Sequence, residues 1–379
     1  MILPLILIMT AWSARGQEPD TVITMLFAGD IMGHDSQIAS ALNDSTGTYS
    51  YDNVFRYIKP VVSSTDIAIG NLEVTLGGPP YKGYPTFSSP DALAEACRDA
   101  GFDILVTANN HAADRSSTGI VRTIRVLDSL GINHSGTWAS DEARDTLTPM
   151  MIDRNGISLA LLNYTYGTNG IAVPPPAIVA YIDTVRAVDD LRKAAEMGAD
   201  KKIICVHWGT EYDTLPSPLQ KQIAEAFIRS GADIVIGSHP HVLQPMVIDV
   251  DSTGFCKAIV WSMGNLVSNQ RWRRTDGGAM VLIELTAKGD TTFISDAGYI
   301  LTWVYRPTED GKQNYYILPC AAYEDNPGFF QSVSHYDAMM LFLKDARRLL
   351  ESENRGFSEF TLSDAGLIRI EKNNAQIQE

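Results

Sequence analysis

Apolar segments of strand length alternate with amphipathic segments of helix length along most of the chain, beginning at Thr21. The strand-like segments are almost continuous apolar runs that end in Gly, Asp, Asn or His, and the helix-like segments repeat apolar residues every three or four positions. The strand-like segments are TVITMLFAGD, DIAIGNLE, FDILVTANNH, KKIICVHWG, ADIVIGSHPH, KAIVWSMGN and GAMVLIELT. The helix-like segments are SPDALAEACRDAG, GIVRTIRVLDSLG, AVDDLRKAAEMGAD and SPLQKQIAEAFIRSGAD. This alternation predicts an α/β fold with a largely parallel sheet.

Three segments interrupt the alternation. MMIDRNGISLALLNY predicts a β-hairpin that turns at 154–156, and together with the later strand pair it suggests a second sheet packed on the first. Residues 165–176, TYGTNGIAVPPP, predict an irregular loop because they are rich in Gly and Pro. The tail contains one good helix pattern, SHYDAMMLFLKDARRLLESE. We therefore expect a main domain over residues 17–307 and a C-terminal helical appendage over residues 308–379.

The first sixteen residues, MILPLILIMTAWSARG, are a candidate targeting segment. Their apolar run of about ten residues is too short to span a bilayer. The small residues Ala14 and Gly16 fit cleavage before Gln17, which predicts a signal peptide over residues 1–16. The protein would then be exported, and either periplasmic or associated with the cell surface. An apolar N-terminal strand is the alternative interpretation.

The charge of the chain restricts its partners. Thirty Lys and Arg residues against 45 Asp and Glu residues give a formal net charge of −15. Nucleic acids and anionic membranes need clustered cations, so this balance argues against both as partners and favours the binding of cations. A polyanionic substrate would need metal ions to offset the charge locally. The four cysteines are widely spaced and form no C-x-x-C pair, so they predict no thiolate metal site.

Most of the histidines, with several carboxylates and amides, lie at or just beyond the carboxyl ends of predicted strands. These residues are Asp30, His34, Asn71, Glu73, Asn110, His111, His207, Glu211, His239 and His241. In an open α/β sheet this edge is where ligands bind. Imidazole, carboxylate and amide groups together form a mixed nitrogen and oxygen set that suits Zn, Mn or Fe. We therefore predict a metal centre at this edge.

The His239-Pro240-His241 sequence suggests how two imidazoles converge on such a centre. Residues i and i+2 of an extended chain point to the same side, and a proline biases the preceding residue toward the extended conformation. A pair of metals about 3.5–4 Å apart needs several protein ligands and a bridging carboxylate, and Glu73 or Asp30 could bridge.

Each of these elements has an ordinary structural explanation when taken alone. Asp30 could cap a helix or a turn, Asn110 could belong to a turn, and His207 could be a buried histidine of the core. His34 could be a ligand or a neighbour of the ligands. Five such elements in order, each at a different predicted strand end, favour a metal site over chance.

In these residues the sequence resembles the CapA-type poly-γ-glutamate and capsule synthesis family, which is similar to the calcineurin-like metallophosphoesterases. The resemblance covers residues 22–285. The motifs are GDIMGH, GNLE, GFDILVTANNHAAD, TYGTNG, HWGTEY, GADIVIGSHPHVLQ and WSMGN. The resemblance implies a four-layer α/β/β/α sandwich, with the helical appendage after it.

The resemblance also implies roles for individual residues. The implied metal ligands are Asp30, Glu73, Asn110, His207, His239 and His241, with Glu73 at the position of a bridging aspartate. His111 matches a histidine that acts on the leaving group. The sequence departs from the metallophosphoesterase pattern at Glu73, which is longer by one methylene, and at Met32, where those enzymes have a histidine.

Two functions are open at this point. The first is a metal-dependent hydrolase or transferase with one or two divalent ions (Mn, Zn or Fe), in which His111 protonates or orients the leaving group. Glu211 would hold a ligand imidazole or a substrate ammonium, and the loop of residues 165–176 would be a substrate wall. The second is an exported component of capsule or poly-γ-glutamate assembly that binds an anionic polymer without cleaving it.

Further alternatives concern the substrate and the metal. The substrate is an anionic polymer or a phosphoester, and capsule-assembly membrane proteins are possible partners. A metal-dependent phosphoesterase unrelated to capsule, or a relic of the fold without metal, are the other hypotheses.

Overall fold

The structure is a computed structural model that describes residues 20–250, 256–363 and 366–370. The predicted signal peptide, residues 1–16, lies outside the described residues. The strands are β1 (Thr21–Ile31), β2 (Leu42–Asn43), β3 (Thr48–Tyr49), β4 (Ile67–Leu72), β5 (Ile104–Val106), β6 (Asn133–Ser135), β7 (Thr137–Trp138), β8 (Met150–Arg154), β9 (Ile157–Thr165), β10 (Ile178–Val179), β11 (Lys201–His207), β12 (Ile234–Ser238), β13 (Met246–Val250), β14 (Cys256–Val260), β15 (Asn265–Val267), β16 (Gly277–Lys288), β17 (Thr291–Tyr305), β18 (Thr308–Glu309), β19 (Lys312–Gln313), β20 (Tyr316–Pro319), β21 (Ser358–Ser363) and β22 (Gly366–Arg369). The α-helices are α1 (Asp35–Ala41), α2 (Asp52–Phe55), α3 (Lys59–Val62), α4 (Ala92–Ala100), α5 (Ser116–Leu130), α6 (Asp141–Leu147), α7 (Thr184–Glu196), α8 (Pro218–Arg229) and α9 (Val333–Glu353).

The larger sheet contains ten strands, and its main path runs β22-β21-β17-β16-β1-β4-β5-β6. Strands β1, β4, β5 and β6 are parallel to one another, whereas β16 and β17 form a long antiparallel pair next to β1. Strand β15 adds to β1 in parallel. The carboxyl ends of β1, β4 and β5 therefore meet at one edge.

The smaller sheet contains six strands in the order β13-β14-β12-β11-β9-β8. Its four central strands are parallel and its two edge strands are antiparallel. The predicted hairpin is confirmed as β8 and β9, and its turn residues Asn155 and Gly156 have φ of 53° and 78°. Positive φ at both central positions gives the turn a twist that matches the two strands. The mixed α/β fold predicted from the alternation is thus confirmed, and the described residues form the second sheet that the hairpin suggested.

Three buried apolar clusters hold the sheets and helices together. Successive side chains of β1 point to opposite faces of the sheet and therefore belong to two different clusters. Ile23, Met25 and Phe27 belong to the cluster that also contains alternate apolar residues of β9, β11 and β12, whereas Leu26 and Ala28 belong to a cluster shared with α2, α3 and α4. The third cluster joins the smaller sheet to α5, α7 and α8. The count of four layers stays a prediction.

The segment after residue 307 packs against the larger sheet. Strands β20 and β21 both pair with β17, and α9 buries five side chains in the cluster between the two sheets. Arg347 of α9 binds the carboxylates of Glu324 and Glu359 at 2.6 and 2.9 Å. The domain boundary at 307 stays a prediction, but the helix beyond it is part of the same buried core. Among the described residues, no helix combines the length and apolar character needed to cross a bilayer.

Candidate metal centre between the two sheets

The sheet edge that contains the predicted ligands begins at Asp30, near the end of β1. The register between β1 and β4 shifts between Ala28 and Asp30, so that Asp30 pairs with Asn71. A bulge of this kind redirects a side chain. Only glycine fits at position 29, because a Cβ there would lie 2.0 Å from the carbonyl oxygen of Gly264. The close contact lets the Asp30 N–H donate to that same carbonyl at 3.1 Å.

Asp30 is fully buried and binds groups from both sheets. Its Oδ1 accepts a hydrogen bond from Asn71 at 2.7 Å, and its Oδ2 lies 3.2 Å from Nδ1 of His241. Burial alone would raise the pKa of this carboxyl group. The hydrogen bond and charge of His241, with the contributions of His207 and Asn71, outweigh burial and hold the pKa below its ordinary value.

Glu73 follows β4 and is also fully buried. Its Oε1 lies 3.5 Å from Nε2 of His207 and 3.8 Å from Nε2 of His241. Among the described residues neither of its carboxylate oxygens has a hydrogen-bond partner. Burial, followed by the neighbouring charge of Asp30, raises the pKa of Glu73 well above its ordinary value. This carboxylate therefore lacks the compensation that buried charges normally have.

His207 ends β11 and is held from both sides of its ring. Its Nδ1 lies 3.0 Å from the hydroxyl of Ser238, its partner in the strand register, and its Nε2 lies 2.8 Å from Oδ1 of Asn110. Tyr166 stacks parallel to its ring at 6.3 Å. Burial lowers the pKa of His207 to about 3, so the ring is neutral, which is the form that binds metals.

The His-Pro-His segment differs from the expectation. We predicted an extended backbone, but His239 and His241 have φ of 102° and 58°, in the left-handed region. This conformation is strained for residues other than glycine and persists where the surrounding structure enforces it. The N–H of Tyr212 binds the carbonyl of Pro240 at 2.8 Å, and the N–H of Trp208 binds the carbonyl of Ser238 at 3.1 Å.

The two imidazoles nevertheless converge. Their ring centroids are 5.9 Å apart, and the ring of His239 lies 4.7 Å from that of His207. Nδ1 of His239 is buried without a hydrogen-bond partner among the described residues, and Nδ1 of His241 lies 3.0 Å from Oδ1 of Asn265. Burial, with the neighbouring histidines, lowers the pKa of His239 well below its ordinary value. A neutral imidazole with a free nitrogen is available as a ligand.

Two groups of donor atoms emerge from this geometry, and both are fully buried. One contains Glu73, His239 and His241, and the other contains Asp30, Glu73 and His207; within each group the donor atoms lie within 4.8 Å of one another. Glu73 belongs to both groups. The unpaired oxygens of Glu73 and the unpaired nitrogen of His239 fit a divalent cation, and the mixed oxygen and nitrogen set fits Mn, Zn or Fe. The predicted ligand Asn110 lies next to the second group, with its Oδ1 2.8 Å from Nε2 of His207.

His111 lies beside the centre and is held by a carboxylate. Its Nδ1 is 2.8 Å from Oδ2 of Asp114, which also accepts the backbone N–H of Phe87 at 2.7 Å. The ring of Phe87 contacts His111 edge to face at 4.6 Å. With Nδ1 bound to a carboxylate, Nε2 of His111 is the nitrogen left to exchange a proton.

His34 and Glu211 lie at the periphery of the centre. Nδ1 of His34 accepts the backbone N–H of Asn269 at 3.2 Å, and burial lowers its pKa to about 4. Neither donor group contains His34, which the structure places in the wall of the cleft. Glu211 is exposed on the same cleft, while both ring nitrogens of His207 face other side chains. Of its two predicted roles, contact with a substrate ammonium fits this position.

The cleft above the centre has a volume of about 590 Å³, which is in the range of small-molecule sites. Its lining residues are Met32, His34, Tyr84, His111, Glu211, Tyr212, His241, Asn269, Gln270, Arg271 and Trp272. Tyr84 and Trp272 are 69% and 71% exposed at its rim. The buried amide of Gln244 fixes the loop that contains Glu211, because its Nε2 donates to the carbonyls of Asp213 and Leu215.

The predicted substrate wall, residues 165–176, also contacts the centre. Tyr166 lies 4.6 Å from the ring of His239, and Oδ1 of Asn169 accepts from Asn110 at 3.3 Å. Burial, with the charge of Glu211, raises the pKa of Tyr166 to about 12. The loop thus contacts a predicted ligand ring, and its role as a substrate wall stays a prediction, because none of its residues is among those that line the cleft.

Sequence reasoning missed the roles of Ser238, Asn265 and Asp114. Each contacts a predicted site histidine. The pairs are Ser238 with His207, Asn265 with His241, and Asp114 with His111. All three lie within motifs or at strand ends already noted, and the His-x-x-Asp spacing in ANNHAAD was the one local indication.

Comparison with known proteins supports the resemblance. Residues 24–270 match the family described as bacterial capsule synthesis protein PGA_cap. The capsule biosynthesis protein CapA of Bacillus anthracis is 30% identical over 310 residues, which are 76% of this chain and 72% of that protein. The PGA biosynthesis protein CapA of Bacillus subtilis (strain 168) is 28% identical over 307 residues, 74% of each chain. The structure of the calcineurin-like phosphoesterase YfkN from Bacillus subtilis gives a TM-score of 0.44 at 13% identity, over 88% of this chain and 99% of that one. This chain belongs to the PGA_cap family of bacterial capsule synthesis proteins.

Proposed function

We propose that this protein is an exported, metal-dependent enzyme of capsule or poly-γ-glutamate biosynthesis, with a dinuclear metal site bridged by Glu73. The observation that most supports the proposal is that Glu73 belongs to both donor groups while neither of its buried oxygens has a hydrogen-bond partner among the described residues. An unpaired buried carboxylate is costly, and two cations that share it would compensate the charge.

The ligands would be Asp30, Glu73, Asn110, His207, His239 and His241. When bound, the cations would supply Lewis-acid polarisation of a phosphoryl or acyl oxygen. His111 would protonate the leaving group from Nε2, because its Nδ1 is bound to Asp114 at 2.8 Å. Glu211 would contact a cationic group of the substrate from the exposed wall of the cleft.

The substrate we propose is an anionic polymer or a phosphoester. Both relatives carry names that place them in capsule or PGA biosynthesis. The open cleft and its exposed aromatic rim would admit part of a long chain. Export is proposed from residues 1–16, and capsule-assembly membrane proteins are the proposed partners.

The test is the variant Glu73→Gln, which keeps the shape of the side chain and removes its charge. Purified protein loaded with Mn, Zn or Fe is expected to lose metal and turnover of phosphoesters or γ-glutamyl amides together. Glu225→Gln is the matched control, because Glu225 is exposed on α8. Full metal content and full turnover in Glu73→Gln would disprove the proposal.

The second candidate is a polymer-binding scaffold. The open cleft, which can hold a chain without enclosing it, favours this function. Saturable binding of an anionic polymer by metal-loaded protein, with no product after prolonged incubation, would establish it in place of the enzyme.

A further inference from the structure

One loop in the wall of the cleft, residues 268–276, contains three arginines in different surroundings. Arg273 and Arg274 bind the carboxylate of Asp345 on α9, at 2.7 and 3.4 Å. Arg271 lines the cleft instead, and its Nη1 donates to the carbonyl of Val304 at 3.3 Å. Its Nε and Nη2 are buried and have no acceptor among the described residues. Arg271 is thus the one member of this trio with buried guanidinium N–H groups that lack an acceptor among the described residues.

A second arginine stands behind Arg271. Nη1 of Arg306 donates to Oδ1 of Asn269 at 2.6 Å. Within the part of the chain that the structure describes, no carboxylate oxygen lies within 4.0 Å of either guanidinium group. The carboxylate of Asp276, whose charge reaches both arginines, is held by the indole N–H of Trp303 at 2.7 Å.

The energetic consequence is a pair of poorly compensated cations in a protein with a formal net charge of −15. Burial, together with the charge of Arg306, lowers the pKa of Arg271 to about 9, and burial also lowers the pKa of Arg306. An arginine buried without an anion is rare, because charged groups are normally paired when they leave water. An anion that enters the cleft would remove both the repulsion and the unpaired N–H groups.

We propose that Arg271, with the charge of Arg306 behind it, forms a binding site for a carboxylate group of an acidic substrate chain, next to the candidate metal centre. Nε–H and Nη2–H lie on one edge of a guanidinium group and match the two oxygens of a carboxylate. His111 and His241 line the same cleft, so a chain held by Arg271 passes the centre. The site rests on the proposed function, since it names the substrate class that the cleft selects.

The approach to this site requires a small movement. Nε and Nη2 of Arg271 are shielded from solvent in this conformation, so the side chain would rotate toward the cleft to meet the carboxylate. That rotation exchanges one long bond to a backbone carbonyl for two charge-assisted bonds. Trp272 and Tyr84, exposed at the rim, would contact the apolar stem between successive carboxylates.

The experiment is calorimetric titration of the metal-loaded full-length protein with a short γ-linked glutamate oligopeptide. The second probe is the same peptide with its α-carboxylates converted to amides, and the third is inorganic phosphate. Arg271→Gln is expected to bind the acidic peptide about 10- to 100-fold more weakly, because a charge-assisted pair is lost. Arg271→Lys is expected to recover only part of the loss, since lysine keeps the charge without the two-pronged edge.

Two further variants make the result specific. Arg306→Gln is expected to weaken binding in the same direction, and it keeps the test valid if the Arg271 variants fail to fold. Arg125→Gln, on the exposed face of α5, removes the same charge away from the cleft and is expected to bind normally. The amidated peptide is expected to bind weakly and equally to all variants.

Equal affinity of the wild type, Arg271→Gln and Arg306→Gln for the acidic peptide would overturn the proposal. A loss confined to inorganic phosphate would overturn it too, because the pair would then recognise phosphate. Metal content is measured in the same samples. Failure of metal binding with intact, Arg271-dependent peptide binding would count against the proposed function alone, so the two proposals fail separately.

Discussion

The two sheets contribute different chemistry to the candidate metal centre. The larger sheet places three candidate oxygen donors, which we call the oxygen side: Asp30, Glu73 and Asn110. The smaller sheet places three candidate nitrogen donors, which we call the nitrogen side: His207, His239 and His241. On the oxygen side two carboxyl groups are buried close together. Burial, followed by the charge of Asp30, raises the pKa of Glu73 well above its ordinary value. On the nitrogen side, the lowered pKa of His207 and His239 leaves those two rings neutral. The proposed cation would therefore take ligands from both sides, and the candidate centre lies between the two sheets.

The backbone differs between the two sides as well. On the oxygen side Asp30 lies at a bulge within a strand and Glu73 follows directly after one. On the nitrogen side His239 and His241 have positive φ, in a turn held by Tyr212 and Trp208. Asp30 and Glu73 are placed by a strand with a bulge and by a strand end, whereas His239 and His241 are placed by a strained turn.

The largest expected effect comes from removing two of the three histidines of the nitrogen side. The double variant His239→Ala/His241→Ala should bring metal content to background, because one donor group loses both of its imidazoles and the other loses the contact of His241 with Asp30 at 3.2 Å. The loss should exceed the roughly 10- to 100-fold reduction in affinity typical of lost supporting groups. Elemental analysis of protein purified without chelator measures it.

The matched control also removes two histidines. His134 binds Asp128 at 3.2 Å and His335 lies in the first turn of α9, so His134→Ala/His335→Ala should keep its metal. Equal metal content in the two double variants would show that His239 and His241 are not metal ligands. The proposed division into oxygen donors on one sheet and nitrogen donors on the other would then be wrong.

A second variant separates proton transfer from metal binding on the oxygen side. Asp114→Asn removes the carboxylate that fixes Nδ1 of His111, while the amide oxygen can still accept the N–H of Phe87. We expect kcat to fall by about 100-fold, in the range of general acid–base contributions, with metal content unchanged. Steady-state kinetics and elemental analysis of the same sample give the two values. Loss of metal together with kcat would place Asp114 among the groups that support the ligands.

The sequence predicted the oxygen side better than the nitrogen side. Asp30 and Glu73 follow from the rule that ligands gather at the carboxyl ends of parallel strands, and that rule needs only strand positions. His239 and His241 were predicted as neighbours in space, but their extended conformation was wrong. The hydrogen bonds that hold this turn in its positive-φ conformation come from Tyr212 and Trp208, in another segment of the chain. The local sequence around the two histidines therefore could not predict that conformation.

Two other features were beyond the sequence pattern. The lack of an acceptor for the buried N–H groups of Arg271 among the described residues depends on which arginines of its loop reach Asp345, a residue more than seventy positions away. The burial of α9 between the sheets depends on pairing of β20 and β21 with β17. Long-range pairing of this kind leaves no periodicity in the local sequence.

The smallest expected effect concerns a supporting group of the nitrogen side. Ser238→Ala removes the hydroxyl that lies 3.0 Å from Nδ1 of His207 and leaves every proposed ligand in place. We expect metal affinity to fall by about tenfold, at the low end for such partners, because Asn71 still lies 3.3 Å from the same nitrogen. Competition titration with a metal-binding dye measures the change.

Ser230→Ala, at the end of α8, is the matched control, since the hydroxyl of Ser230 binds only the carbonyl of Ala226 among the described residues. An unchanged affinity in Ser238→Ala would mean that strand β11 and Asn71 orient His207 without the hydroxyl, and this histidine would then be placed by its strand end, as Glu73 is on the oxygen side.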